Sequence, residues 1–468
     1  MMRKTLLVMG VLVFLGGCSL APKYQHPQAP IPDTWPQGEA YKNAQTISGI
    51  PTARELSWQD FFTDQKLRKI IETALNNNRD LQIAALNVEK ARAQYGIQRA
   101  ELLPALDTSG AWSKQRRSDD LIDPGDPRTV EQYSVDLGIA SWEIDFFGRL
   151  RSLKDQALEA YMATEQARRS TQIMLISEVA RAYLTLAADR ENLKLARSTL
   201  ESQQTSYDLI LKSCQFGLST EIDLRRAQTQ VDAAQRDVHR YTQLEAQDQN
   251  ALNLLAGAPV PEEMLPADLS SVAPAQEISS GISSETLLNR PDIVAAEHRL
   301  KGAYAYIGAA RAAFFPRISL TTSVGTASDE LSGLFGSEAD TWNFAPQIVM
   351  PIFDARIWAA LRISKADRKI VLKEYEKTIQ AAFKEVADAL AVRGTIDQQV
   401  AAQKALVGAS SETYRLSNKR YTLGIDDYLS VLDAHRSLYS QQQTLISLQL
   451  TRVANQVNLY AVLGGGDK

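Results

Sequence analysis

The feature that most constrains this chain is that its sequence is written twice. Leu75, Asn77, Asp80, Ala84, Ala91, Ala93, Gly96, Ala100 and Pro104 match Leu287, Asn289, Asp292, Ala296, Ala303, Ala305, Gly308, Ala312 and Pro316 at a constant offset of 212 residues. The offset drops to 206 at Phe147 and Phe353, becomes 207 at Gly217 and Gly424, and still holds at Gly257 and Gly464. A period of about 210 residues far exceeds the roughly 20 to 50 of solenoid units, so this is a duplicated half-protein rather than an array.

Each half carries the same order of parts. Residues 67–103 are alanine-rich helix formers that stop at Pro104, which has no N–H to donate and whose ring clashes with the preceding turn. Residues 105–117 and 130–146 change period: Tyr133, Val135, Leu137 and Ile139 alternate with Ser134, Asp136 and Gly138, a strand with one apolar and one polar face. Between them Asp119 to Pro127 form a turn-rich loop. The second half repeats this with a helix at 284–314, a strand at 317–327, a loop at 328–340 and a strand at 341–353. Ile318, Leu320, Thr322 and Val324 fall on one face of the first of these strands, and Trp342, Phe344, Ile348 and Met350 on one face of the second.

Long helices follow at 149–213 and 356–421, interrupted only by the lone Gly394. About 65 residues at 1.5 Å each reach roughly 97 Å, longer than any globular core. Val179, Leu186, Leu193, Leu200 and Tyr207 recur every seven residues, as do Val386, Arg393, Val400, Val407 and Tyr414, so both rods offer a coiled-coil edge. Gly217 and Gly424 turn the chain back into helices at 218–256 and 426–462, with seams Leu224, Val231, Val238 and Ile425, Leu432, Tyr439, Ile446, Val453, Tyr460. Each pair is an antiparallel hairpin.

Composition removes several alternatives. Mean hydropathy is −0.24, which excludes a polytopic bundle of membrane helices. Lys and Arg number 51 against 55 Asp and Glu, so no basic field exists to hold nucleic acid. Two cysteines and four scattered histidines, His26, His239, His298 and His435, support neither a disulfide framework nor a structural zinc site. There is no zinc-protease helix motif, phosphate-cradling glycine loop or serine elbow, and no cofactor is implied.

The first segment is an address. Arg3 and Lys4 precede the apolar run Thr5 to Leu15, too short at about 11 residues for a span of roughly 20 but suited to export. Leu15-Gly16-Gly17-Cys18-Ser19 looks like a bacterial lipobox, with Cys18 accepting the lipid and Ser19 directing the chain to the outer membrane. The division that follows is 1–17 lipoprotein signal peptide, 18–66 lipidated extension and belt region, 67–257 first repeat, 258–283 linker or equatorial belt, 284–464 second repeat and 465–468 tail.

Four strands cannot close a transmembrane barrel, since the smallest single-chain examples have about eight. In hydrocarbon an open edge leaves backbone groups unpaired, so copies must share one barrel. Two copies would supply eight strands and three would supply twelve. Strands at one end of rods roughly 100 Å long, in a lipidated chain, read as a tunnel across the periplasm.

The residues also resemble a known family. Ala21-Pro22-Lys23-Tyr24-Gln25-His26-Pro27 after the lipobox, Trp142-Glu143-Ile144-Asp145-Phe146-Phe147-Gly148-Arg149, Asn289-Arg290-Pro291-Asp292-Ile293, Phe314-Phe315-Pro316, Pro351-Ile352-Phe353-Asp354 and Leu423-Gly424-Ile425-Asp426-Asp427-Tyr428-Leu429 are similar to the TolC/OprM outer-membrane factors, lipoprotein branch. The resemblance implies a mainly α fold with a β-barrel portion. It implies a homotrimer whose 12-stranded transmembrane β-barrel, four strands per chain, continues into a 12-helix periplasmic α-barrel girdled by a belt. It implies an outer-membrane channel of a tripartite efflux system, partnered by a periplasmic membrane-fusion adaptor and an inner-membrane pump of the resistance-nodulation-division type, exporting drugs or other toxic small molecules.

A duct needs a closure at its inner end, and the turns at Gly217 and Gly424 mark the rod ends farthest from the strands. Leu429, Asp433 and Arg436 lie at i, i+4 and i+7 on one helix face, so threefold repetition would set rings of each around an axis. The resemblance places the leucine as an apolar constriction and the charged pair in contacts that hold the helices together; read without it, the three are a solvated face with a local ion pair. The positions 207 earlier are Ile222, Arg226 and Thr229, so only the second hairpin carries the full set. Glu221, Asp223, Asp426 and Asp427 near the turns are either a cation-favouring mouth or helix caps placed by the dipole. A periplasmic coiled-coil adaptor or structural lipoprotein is the alternative reading; it explains rods and lipid but has no use for strands with an apolar outer face.

Overall fold

The computed structural model of the protein describes residues 19–44, 50–279 and 283–466; the export segment and Cys18 lie outside the described residues. In chain order the principal elements are α1 (Gln65–Asn77), α2 (Arg79–Ala100), β1 (Asp107–Arg116), β2 (Thr129–Glu143), α3 (Arg149–Gln215), α4 (Glu221–Ala256), α5 (Pro291–Ala312), β3 (Arg317–Ser328), β4 (Asp340–Val349), α6 (Ala355–Thr422) and α7 (Tyr428–Val462). Helices α2 and α5 are 22 residues each and lie 212 apart at both ends. The rods α3 and α6 have 67 and 68 residues, about 100 Å apiece.

The structure corrects four expectations. The helix expected over 67–103 is two helices, because Asn78 leaves helical geometry to cap α2: its Oδ1 accepts from Leu81 N at 3.0 Å while its Nδ2 donates to Leu255 O at 3.0 Å. The equivalent helix in the second half starts at Pro291 rather than 284, behind a 3-10 turn at Ser284–Asn289, and Arg290 stands where Asn78 does. Ile425 is no seam residue; it lies in the turn before α7 and is 58% exposed. Strand β4 ends at Val349, so Met350 to Phe353 lie outside it.

Chain contacts divide the protein into two compact units, and each sequence half contributes to both. The first comprises residues 1–28, 87–165 and 295–376 and contains the sheet. Its four strands are antiparallel in the order β1-β2-β3-β4. The register puts Trp112 opposite Tyr133, Leu137 opposite Val324 and Val324 opposite Trp342, while Asp136 faces Gly325 and Ser323 faces Asn343. One face therefore carries the tryptophans with Tyr133, Phe344 and most of the aliphatic residues, and the other is mainly Ser, Thr, Gly, Ala, Gln, Asn and Asp. A Cβ on Gly138 would come within 2.3 Å of Thr322 O, and one on Gly325 within 2.2 Å of Val135 O. Both glycines lie on the polar face, so that face is the concave one. A bulge at Ala140-Ser141, with Ser141 at φ 60°, bends β2 near its end.

The second unit, residues 29–86, 166–294 and 377–468, is helical. Val179 and Leu186 of α3 and Val386 of α6 are fully buried, as the heptads predict. Phe61 stacks on Tyr460 with centroids 3.9 Å apart, and the Tyr460 hydroxyl donates to Leu56 O at 2.9 Å. The segments around residues 50–64 and 272–279 pair: Ser279 N donates to Pro51 O and Gln276 N to Phe61 O, both at 2.9 Å. Gly394 is explained by close approach, since a Cβ there would sit 2.0 Å from Ala40 O.

Within the first hairpin Asp189 of α3 meets Asp248 of α4, and Asp248 Oδ2 is buried with no donor facing it. Two carboxyls can share such a place only if one keeps its proton. Burial, with the Asp189 charge and hydrogen bond added, pushes Asp248 up to about 7. The folded value lies above an unfolded value of roughly 3.9, so the contribution is fully present below the latter and is lost as pH rises through about 7. Asp248→Asn should therefore raise the melting temperature more at pH 8 than at pH 5, read by circular dichroism.

Candidate functional site

Both rods end in the same device. Gly217 and Gly424 adopt φ of 71° and 70°, the left-handed geometry that closes a helix and that a side chain would strain. Gly217 N donates to Cys214 O at 3.0 Å and Leu218 N to Ser213 O at 2.8 Å; the copies are Gly424 N to Tyr421 O at 2.9 Å and Ile425 N to Arg420 O at 3.0 Å. The return helices start from caps 207 residues apart: Thr220 accepts from Asp223 N, and Asp427 accepts from Ser430 N.

The four acidic residues near the turns each have a local partner. Asp223 completes the capping box with Thr220. Asp427 is the cap of α7. Asp426 takes two bonds from Arg420, at 2.6 and 2.9 Å, and the guanidinium holds its carboxyl below the usual range. Glu221 accepts from Arg225 at 3.2 Å, one helical turn on.

Leu429, Asp433 and Arg436 lie along the start of α7. Leu429 is 36% exposed, and Asp433 and Arg436 form an ion pair with one another, both side chains more than half exposed. Their counterparts on α4 differ: Ile222 is exposed, Arg226 lies 3.7 Å from Asp223, and Thr229 donates to its own helix. Phe216, Leu218, Leu423 and Ile425 also stand exposed around the turns. Beneath them Ile210, Ala227, Tyr428, Val431 and Leu432 form a small core that joins the two hairpins. The remaining cysteine, Cys214, is a free thiol in the last turn of α3, half-buried.

The seams between hairpins are more polar than heptad spacing suggests. Gln203 Nε2, on a residue 4% exposed, donates to His435 Nδ1 at 2.8 Å, and Tyr414 meets the same ring edge-on at 4.9 Å. Tyr439 donates to Asp237 at 3.3 Å, and Gln443 Nε2 to the Tyr241 hydroxyl at 2.9 Å. Sequence reasoning passed over His435 as one of four scattered histidines. The available signal was its place one residue behind Arg436 and three beyond Leu432, on the buried side of the helix that carries Leu429, Asp433 and Arg436.

Burial alone pushes His435 below its usual value, so the ring stays neutral and accepts from Gln203. Protonation would set an N–H against the donating amide. With the folded value below an unfolded value of about 6.5, stability is present above that pH and lost as pH falls beneath it. Scanning fluorimetry from pH 7.5 to 5 should show His435→Gln losing less melting temperature than the unaltered protein.

In the unit that contains the sheet, the segment after Ser19 lies along α5. Arg311 Nη1 donates to Leu20 O at 2.9 Å, and the Tyr24 hydroxyl donates to Glu297 at 2.9 Å, with Lys301 on the same carboxylate. Among the described residues no three His, Cys, Asp or Glu side chains are placed to hold a metal ion. No described helix is long and apolar enough to cross a membrane.

Comparison with known proteins agrees with this geometry. The family described as Outer membrane efflux protein matches residues 70–258 and again 282–465. An antibiotic efflux pump outer membrane protein, ArpC, and a toluene efflux pump outer membrane protein, TtgC, both from Pseudomonas putida, are each 47% identical over 99% of this chain and 96% of theirs. The open-state crystal structure of the Neisseria gonorrhoeae MtrE outer membrane channel superposes with a TM-score of 0.85 at 38% identity, covering 96% of this chain and 99% of that one. Rods, paired turns and a four-stranded sheet with one apolar face define a TolC-like channel protein of the outer membrane. The chain belongs to the outer membrane efflux protein family and is the outer-membrane component of an efflux pump.

Proposed function

We propose that three copies join their sheets into one 12-stranded barrel and their rods into one 12-helix cylinder, giving a duct that carries drugs or other toxic small molecules from an inner-membrane pump of the resistance-nodulation-division type, through a periplasmic membrane-fusion adaptor, to the exterior. The observation that carries this reading is the sheet: four strands, one apolar face, and edge strands β1 and β4 exposed along their whole length. Backbone groups left unpaired in hydrocarbon cost several kcal/mol each, so further strands must cover those edges. A duct of this kind moves solutes without any catalytic residue. The relatives named for antibiotic and toluene efflux favour small hydrophobic compounds as cargo. Acylation of Cys18 would add outer-membrane lipid to the contacts of the barrel.

Closure is assigned to Leu429, Asp433 and Arg436, with Gly217 and Gly424 turning the chain at the tip. Only the second hairpin carries this set, so it is the one that swings while the first stays packed. The ion pair within a chain is exposed and contributes less than about 1 kcal/mol, so its removal should not disturb folding. Replacing Asp433 and Arg436 with Ala should raise single-channel conductance in planar bilayers severalfold while the melting temperature stays within a degree or two; unchanged conductance would remove both residues from the gate.

The whole function is tested by deleting the gene and scoring sensitivity to antibiotics, dyes, bile salts and metals. Sensitivity to the organic compounds, restored by the intact gene, is the expected outcome. The coiled-coil adaptor reading would instead show as a monomer released from the membrane once Cys18 is replaced.

A further inference from the structure

The trimeric reading leaves open how one copy's sheet meets the next, and the duplication answers it. Strands β1 and β3 are equivalent in the two halves, as are β2 and β4, so the joint between β4 and a second copy's β1 is the repeat of the joint between β2 and β3. That internal joint is visible: Glu143 opposes Ser319 and Trp142 opposes Leu320. Moved by the repeat offsets of 206 and 212 residues, these pairs become Val349 opposite Asp107 and Ile348 opposite Thr108. Strand β4 pairs with β3 without a bulge, so the same register continued along it sets Asp340 opposite Arg116. All the pairs fall in one register.

We infer that β1 of one copy pairs antiparallel with β4 of the next in the flush register that sets Arg116 opposite Asp340 and Asp107 opposite Val349, and that the Arg116–Asp340 ion pair locks it. Four independent features fit. Both edges are ten residues long, so this register leaves no strand residue without a partner. Directly opposed residues share a face, and the register sets Trp112 against Phe344 and Lys114 against Trp342 on the apolar face; a slip of one residue would put polar beside apolar along the whole joint. Pro346, which has no N–H to give and a ring needing room, faces Gly110. Following opposed residues from Gly110 to Val135, Thr326, Asp340 and then Arg116 of the next copy advances the chain by six residues. Three such steps incline the strands by about 45°, as transmembrane strands are.

The internal joint carries its ion pair at its other end, between Glu143 of β2 and Arg317 of β3 at 2.5 Å. At the internal joint the equivalent positions hold Ser328 and Tyr133, neither of them charged. Within one chain Arg116 and Asp340 are both exposed, on the outermost strands of the sheet.

The inference rests on the trimeric reading, and the test separates the two. In full-length protein carrying Cys214→Ser, two flush pairs are made, Arg116→Cys with Asp340→Cys and Gln115→Cys with Thr341→Cys. Adjacent rungs alternate between the closer and wider type, so one of the two suits a disulfide. Two slipped pairs serve as controls, Lys114→Cys with Asp340→Cys and Ser113→Cys with Thr341→Cys. After mild oxidation a flush pair should give covalent dimers and trimers on non-reducing gels, and the slipped pairs should give monomers. Cross-linking confined to a slipped pair, or absent from all four while native mass spectrometry shows trimers, would overturn the register. Absence of trimers in the unaltered protein would overturn the trimeric reading instead. Arg116→Glu should lower the heat-resistant trimer fraction, and adding Asp340→Arg should recover it; failure of the double change to recover it would remove the ion pair from the lock.

Discussion

An unpaired peptide group in hydrocarbon has no water to turn to, and the architecture of this chain answers to that constraint. The sheet has an apolar face for lipid and a small, polar, concave face for water. Its two middle strands are partly covered, and its two outer strands are bare along their whole length. A soluble protein would cap such edges with a bulge or a helix. Here the bulge sits in β2, an inner strand, and the edges stay straight and ten residues long. Edges kept in that form are built to be paired.

The helical unit follows a different rule. Around the Gly217 and Gly424 turns the helices are held by a small apolar core, but the contacts between hairpins pass through Gln203, His435, Asp237, Tyr439 and Tyr241. A satisfied polar contact contributes about 1 kcal/mol net and fixes a geometry, whereas an apolar seam of the same area would hold harder and with less direction. Helices joined in this way keep their register and can still part. That suits an end expected to open, and the exposed Asp433–Arg436 pair adds little to what must be broken.

Long-period information was legible in the sequence, and local breaks were not. The 212-residue offset located both 22-residue helices relative to one another, and period-two patterning found β2, β3 and β4, while β1, with no such alternation, was placed by the change of period after Pro104. The break at Asn78 was hidden because Asn76-Asn77-Asn78 lies within a run of good helix formers, and only tertiary contact with Leu255 decides which asparagine caps. Ile425 kept heptad spacing by chance, since the cap at Asp427 starts the helix two residues later. The acidic residues at the tip were read as either a cation-favouring mouth or helix caps; that Asp223 and Asp427 cap while Glu221 and Asp426 pair with Arg225 and Arg420 needed the turn geometry. The Asp189–Asp248 pair carried no signal at all, because neither position stands out on its own helix.

Duplication also explains why the halves could not stay alike. Two identical halves would present the same kind of joint inside the chain and between chains, and nothing would tell an internal neighbour from a foreign one. The internal joint needs no discrimination, since the chain itself tethers β2 to β3, and its positions could drift to Tyr133 and Ser328. The external joint must form from solution between untethered edges that would otherwise accept any strand of suitable length. Opposite charges on β1 and β4 favour head-to-tail addition, whereas two β1 edges brought together would leave Arg116 without the Asp340 carboxylate. A heterologous joint closes only at the number of copies its rotation allows, so a charge difference that arose after duplication turns an adhesive edge into a ring of fixed size.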